Sequence, residues 1–535
     1  MAMLGYEELL VSFLLFIAIH YWKSNRNSPL PNWPIVGMLW GIWCNMSNFH
    51  DYITLVLQHY GGTTKFKGPW FTNMDFLIIS DPLNVQHITS KNYSNYEKGP
   101  EFHEIFDVFG DGIVNSDSEK WKSNRILYHS LFTQNRYKKL VYKTIEKEVR
   151  SSLLPFLNHA SNAAGTEVDL QEALQRLTYD NICMMALGFE TNSVGTYFSM
   201  SSEVAYKECL NDIGDAILYR HIVPRFLWKL QKWLQIGPER KLKEADDILS
   251  QFLNEQITSK RNEYSKHRNM EVDELHFDLL TALLEQEEGK AKFDDKFLRD
   301  TILNIFLAGR DTIGAGLTWF FWLVATHPEV EAKIVEEMRK VIVTKEENWR
   351  ALSVEELGKL VYLHGAICET LRLYPPAPFE HLYALNDDVL PSGHIVKKNE
   401  MVLYSLYSMG RMKNVWGEDC LKFKPERWIS EKGRITHVPS YKFIAFNTGQ
   451  RNCMGKDTAF ITMKMVASAL LWNYHLEVME GHQVSTSYET WLEGQGYKTV
   501  DLMEAFHYNK SKCLSVLSLP FALDVSHEWL QSLNY

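Results

Sequence analysis

The sequence predicts a mainly α protein with a small β region, a single large body behind an N-terminal membrane anchor. Three observations carry this. Between about residues 118 and 345, apolar residues recur at spacings of three and four, as in "VDLQEALQRLTYDNICMMALG", the period of a helix with one buried face. β-like runs are few and short, such as "MDFLIIS" and "EMVLYSLYS", and fall within residues 50–80 and 376–440. Ahead of all this, "LLVSFLLFIAIHYW" is nearly all apolar and is followed at once by Lys23 and Arg26.

The apolar run, residues 9–22, is shorter than the roughly 20 residues of a bilayer span and lies in the range of a signal-peptide core. An anchor is favoured over a cleaved signal or a buried core helix. Met3, Leu4 and Tyr6 lengthen the run, no small-x-small cleavage site follows, and the positive charges on its C-terminal side would keep the body cytosolic. The chain then divides into the anchor at 1–22, a Pro-rich hinge at 23–45, a body at 46–485 and a C-terminal segment of different character at 486–535.

Within the body, "FHDYITLVLQHY" reads as a helix leading into short strands. "LRDTILNIFLAGRDTIGAGLTWFFWLVATH" belongs to a proline-free stretch of about 35 residues, long for a globular helix. Gly309, Gly314 and Gly316 lie inside it, each costing about 1 kcal/mol relative to alanine, so close approach or local distortion is expected there. A helix over 359–374 follows, then the irregular β-containing segment. Last comes "FNTGQRNCMGKD", a polar turn that opens the helix "KDTAFITMKMVASALLWNYH".

Composition excludes several functions. A net charge of −10 argues against general nucleic-acid binding. Seven scattered cysteines, without CxxC or CxxH spacing, indicate neither a zinc site nor a disulfide framework and fit a reducing compartment. The glycosylation patterns at Asn45, Asn92 and Asn509 would go unused in a cytosolic body. "GDG" at 110–112 and "GQG" at 494–496 lack the third glycine of a dinucleotide fingerprint, so electrons for any redox chemistry must come from outside.

Cys453 is the chemical centre of the reading. A free cysteine usually packs as a small hydrophobe. Here Arg451 lies two residues before it and a helix start just after, and both favour a thiolate. Such a thiolate is a nucleophile or an iron ligand, and no motif supplies the base a nucleophile needs. Phe446-x-x-Gly449-x-Arg451-x-Cys453-x-Gly455 resembles the haem-ligand loop of the cytochrome P-450 family. Trp121 and Arg125 in "WKSNR", "AGRDT" at 308–312, "ETLR" at 369–372 before "LYPPAP", and "FKPERW" at 423–428 resemble further family segments in the family's order.

The resemblance, over roughly residues 30–485, implies the cytochrome P-450 fold, haem b, and Cys453 as the axial ligand of its iron. It implies that Gly449 and Gly455 let the loop lie against the porphyrin and that Phe446 shields the sulfur. Arg451, Trp121 and Arg125 would meet the haem propionates. Asp311 and Thr312 would serve proton delivery on the distal side, Thr312 bonding back one turn along its helix. Glu369, Arg372 and Arg427 would form a buried ion network supporting the pocket. Two positions depart from the family: Gln450 stands where relatives often carry Pro, and Leu382, beside His381, where they commonly carry a Lys or Arg that meets a propionate.

The wording around the motifs, such as "MGRMKNVWGEDCLKFKPERW", resembles the plant branch of fatty-acid ω-hydroxylases and midchain alkane hydroxylases. That implies a monooxygenase acting on a small hydrophobic substrate with O2, fed by an NADPH–haemoprotein reductase. It also implies a single-pass location on the endoplasmic reticulum membrane with the catalytic body cytosolic. Substrate contacts are expected from Phe106 to Val114, at Ile305, Ala308 and Ile313, and from Ala377 to Phe379. Lys120, Lys122, Arg125, Lys442 and Lys456 would offer a basic patch to the reductase. Phenol coupling in alkaloid biosynthesis, and haem binding without turnover because of the unusual C-terminus, are the other readings.

Overall fold

A computed structural model describes residues 6–72, 74–162, 168–197, 203–267, 277–287, 292–342, 349–478 and 512–516. Most of the C-terminal segment 486–535 therefore lies outside the described residues, as do Met3 and Leu4. The first helix, α1 (Tyr6–Asn25), extends three residues past the expected end of the anchor. Among the described residues no helix is long and apolar enough to cross a membrane.

Helices that position the site are α2 (Gly99–Ile105), α3 (Ser118–Phe132), α4 (Leu170–Leu187), α5 (Glu203–Ile222), α6 (Asp295–Thr326), α7 (Val361–Leu373) and α8 (Lys456–Asn473). The strands β1 (Thr63–Phe66), β2 (Phe76–Ile79), β3 (Tyr96–Glu97), β4 (Phe379–Ala384) and β5 (Met401–Ser405) form one sheet in the order β1-β2-β5-β4-β3. Within this sheet, among the described residues, the β2–β5 pairing is the parallel one. A further strand, β6 (Tyr474–Val478), pairs in parallel with β7 (Lys512–Val516), so this short piece of the C-terminal segment joins the end of α8.

α6 is the axis of the molecule and runs unbroken for 32 residues. The Asp294 carboxylate caps its start by accepting a hydrogen bond from the Phe297 amide at 2.6 Å. It packs along α4 and also meets α7 and α8. Close approach, rather than a break, accounts for two of its glycines. A methyl group at Gly309 would stand 2.7 Å from Ile182 Cδ1, and one at Gly316 would stand 3.1 Å from Met463 Cε. Leu317, Phe320 and Phe321 of α6 form one core with Leu174 and Leu177 of α4 and Leu371 of α7.

Candidate active site

The cysteine turn is built from the backbone outward. Asn447 and Gly449 take left-handed conformations, with φ of 56° and 69°. Asn447 holds its conformation by accepting from the Thr448 amide at 2.7 Å and from Tyr404 Oη at 3.1 Å. The Cys453 amide donates to the Phe446 carbonyl at 2.8 Å, and α8 begins three residues on. Phe446 rests against Phe460, with ring centroids 5.2 Å apart. The space freed at Gly449 is not open, as the resemblance implied. A Cβ there would lie 1.9 Å from the Thr89 carbonyl oxygen, so this glycine serves loop packing. A Cβ at Gly455 would meet only Cys453 Sγ, at 3.8 Å.

Beside the turn, Trp121, Arg125 and Arg451 come together. The Arg451 guanidinium lies over the Trp121 ring at 4.7 Å, donates to the Ser116 carbonyl at 3.1 Å and pairs with Asp117. Arg125 donates to the Asn452 carbonyl at 2.6 Å and to its side chain. Arg451 Nε and Ser116 Oγ are buried without a hydrogen-bond partner.

On α6, Ala308 and Thr312 are accessible although Arg310, Ile313 and Gly314 beside them are buried, so one stripe of an otherwise enclosed helix faces open space. The Thr312 hydroxyl donates to the Ala308 carbonyl at 2.7 Å. Asp311 Oδ1 lies 3.2 Å from Nη1 of Arg310. Ile313 is buried in the core and is not accessible to a substrate.

Glu369, Arg372 and Arg427 form one buried cluster. Arg372 donates twice to the Glu369 carboxylate, both at 2.8 Å, and Arg427 Nε donates at 3.2 Å. The Trp428 indole donates to the same carboxylate at 2.9 Å and the Lys424 amide at 3.1 Å.

A family model described as Cytochrome P450 matches residues 28–500. The chain belongs to the cytochrome P450 family. It is 41% identical over 492 residues to the alkane hydroxylase MAH1 of Arabidopsis thaliana, a match covering 90% of this chain and 96% of that protein. Cytochrome P450 86B1 of the same plant is 38% identical over 489 residues, 89% of this chain and 86% of its own. Noroxomaritidine synthase 2 of Narcissus pseudonarcissus is 36% identical over 494 residues, 90% and 93%. The chain is thus a haem-thiolate monooxygenase, and proteins of this family bind haem b through a cysteine thiolate.

The residues of this P450 fit that group. Cys453 is accessible, yet burial pushes its thiol pKa up, outweighing the Gly455 amide and the charges of Arg125 and Lys456. Arg451 is turned toward Asp117, and the charges acting on the sulfur are those of Arg125 and Lys456. The orphaned Arg451 Nε and Ser116 Oγ fit a further acceptor beside Trp121.

At the departure from the family pattern, Leu382 and not His381 borders the small cavity shared by Arg451 and Tyr404. Lys98 lines the same cavity, with its ammonium 2.8 Å from Glu380. Sequence reasoning missed Lys98 and Asp117, since a lone lysine and a lone acid before a helix carry no chemical signature. It also left "GDG" without a role. Methyl groups on Gly110 and Gly112 would lie 2.0 Å from the side chains of Asp300 and Asn304, which bond the amides of Asp111 and Val114 at 2.9 and 3.0 Å. The glycines dock this segment onto α6. Of the lysines expected to face a reductase, Lys120 and Lys122 are paired with Asp111 and Glu119, at 2.7 and 2.6 Å.

Asp117 gives the site a pH signature. Burial works to raise its carboxyl, but hydrogen bonds from His103 and the amides of Gly99 and Lys98, with the charge of Arg451, outweigh it and bring the pKa from 3.8 to about 2. A depressed carboxyl contributes stability that is complete above its unfolded pKa and is lost as pH falls through the folded one. Asp117→Asn is expected to cost roughly 2 kcal/mol near pH 7 and about half that at pH 3, measured by urea unfolding of both proteins.

Proposed function

We propose that this P450 hydroxylates long aliphatic chains, alkane or fatty acid, with O2 and with electrons passed from NADPH by a membrane-bound NADPH–haemoprotein reductase. The observation that carries the reading is the near full-length identity of 41% to an alkane hydroxylase. The apolar makeup of the accessible α6 stripe around Ala308, and of the Phe106 to Val114 segment docked on it, supports it.

The bound haem supplies oxygen activation, which the side chains cannot. Cys453 would hold its iron and Phe446 would cover the sulfur. Trp121, Arg125 and Arg451 would hold the propionates, and Glu369, Arg372 and Arg427 would support the turn from behind. The bond of Thr312 Oγ1 to the Ala308 carbonyl orients the hydroxyl, and by competing for that carbonyl it would loosen the backbone ladder and favour a water there. Asp311, one residue away, would exchange that water's proton with the exterior. Asp311→Asn is expected to lower turnover about a hundredfold and to raise the solvent isotope effect, with haem content unchanged.

Membrane attachment belongs to the same proposal. α1 exposes Phe13, Leu15, Phe16 and Ile19, which would enter the endoplasmic reticulum membrane, and Lys23 and Arg26 behind them would keep the catalytic body on its cytosolic face. Incubating the protein with reductase, NADPH and a panel of alkanes, fatty acids and phenolic amines tests the reading. Oxidation of the phenolic amines alone would overturn it and favour phenol coupling, the second reading, which the 36% identity to noroxomaritidine synthase keeps in view.

A further inference from the structure

His221 ends α5 and His381 lies in β4, and their rings stand 5.5 Å apart between centroids. Phe106 packs on His221 at 5.5 Å, Phe102 on His381 at 4.9 Å, and the two phenylalanines stack on each other at 4.1 Å. Phe102 lies on α2 and His221 on α5, Phe106 opens the segment docked on α6, and His381 stands on the strand whose next residue, Leu382, lines one cavity with Arg451. His221 is accessible, and burial is the first cause that lowers its pKa.

The hydrogen bonds fix what these rings present. His221 Nδ1 is 2.8 Å from the Ile217 carbonyl oxygen, which only accepts, so Nδ1 carries the proton. His381 Nδ1 is 3.0 Å from Met401 Sδ, a thioether without a proton to give, so this ring too is protonated at Nδ1. Each Nε2 is therefore a bare lone pair. That of His381 is buried with no hydrogen-bond partner, a condition that generally counts against the unliganded state. Burial is the first cause that lowers both rings' pKa values; at His221 it outweighs the bond to Ile217, and at His381 the neighbouring His221 and then Lys98 add to it. The Lys98 charge is itself met by Glu380 at 2.8 Å.

We propose that His221 and His381 form an acceptor site for a hydroxyl group already carried by the substrate. Two neutral acceptors welcome an O–H donor, repel the oxygens of a carboxylate and give an unsubstituted alkane only apolar contact. The inference rests on the monooxygenase reading and narrows its substrate class from hydrocarbon or acid to alcohol.

The test measures substrate-induced shifts of the Soret band in the haem-loaded protein for an n-alkane and for the primary alcohol, methyl ether and fatty acid of equal length. A phenol and its methyl ether form a parallel pair. The alcohol is expected to bind at least fivefold tighter than its ether and than the acid. His381→Phe and His221→Phe, which keep ring packing, are expected to erase the alcohol–ether difference and leave alkane binding within twofold. An ether or an acid binding as tightly as the alcohol in the unmodified protein overturns the site, whatever the variants do. So does an equal loss of alkane and alcohol binding in the variants. If the phenol pair separates while no aliphatic compound shifts the band, the acceptor site stands and the aliphatic reading falls.

Discussion

Replacing Cys453 with serine is expected to reduce turnover by at least a factor of about a thousand, or about 4 kcal/mol in the barrier. The turn exists to present this one sulfur. Its amide is tied to the Phe446 carbonyl at 2.8 Å, Asn447 and Gly449 bend the chain through left-handed conformations, and α8 starts directly behind it. Because Cys453 is accessible and outside the core clusters, serine costs little stability. What is lost is a ligand that ionises. A thiol raised by burial still becomes a thiolate when a metal takes the proton's place, whereas a serine hydroxyl has a far higher pKa in the same desolvated surroundings. The reduced protein with carbon monoxide checks this. The thiolate-type Soret band should be present in the parent and absent in Cys453→Ser, with far-UV circular dichroism unchanged; a retained band would remove Cys453 from its assigned role.

The parts of this site that sequence could reveal are those whose chemistry is local. The helical period of α4 and α6 is written into spacings of three and four, because one face of each must be apolar to bury Leu174, Leu177, Leu317 and Phe320. The cysteine turn announces itself because glycine, arginine and cysteine must stand at fixed offsets. What stayed hidden depends on distant partners. The pattern around Gly449 points to a cofactor face, but the residue against it is Thr89, some 360 positions earlier. Two residues from Cys453, Arg451 reads as the sulfur's partner, and its pairing with Asp117 is made through space. Ile313 carries an apolar side chain like that of a pocket residue, and only the packing of α6 decides that it faces the core. The His221–His381 pair joins the end of a helix to the middle of a strand, and no spacing in the chain encodes that.

Glu369→Gln is expected to destabilise the protein by about 3–5 kcal/mol, a large share of the roughly 5–15 kcal/mol that typically holds a domain folded. Glu369 is fully buried and its two oxygens accept five hydrogen bonds, three to Oε1 and two to Oε2. Glutamine keeps the shape but turns one acceptor end into a donor facing other donors, and it leaves the Arg372 guanidinium without its countercharge, while Arg427 keeps Asp419 at 3.1 Å. Replacing both Glu369 and Arg372 by leucine should recover only part of the loss. Arg372 also donates to the carbonyls of Cys420 at 2.7 Å and Lys422 at 3.2 Å, and these would then be orphaned. The damage has a direction as well as a size. The Trp428 indole, anchored by Glu369, packs on Phe443 at 4.5 Å, and Phe443 meets Phe446 at 6.5 Å, at the head of the cysteine turn. Freeing Trp428 loosens that aromatic path before it melts the helices. In urea, Glu369→Gln should therefore lose its Soret absorbance at a lower concentration than its helical circular dichroism, while in the parent protein the two transitions coincide; coincident loss in the variant would mean that the cluster supports the fold as a whole and not the turn.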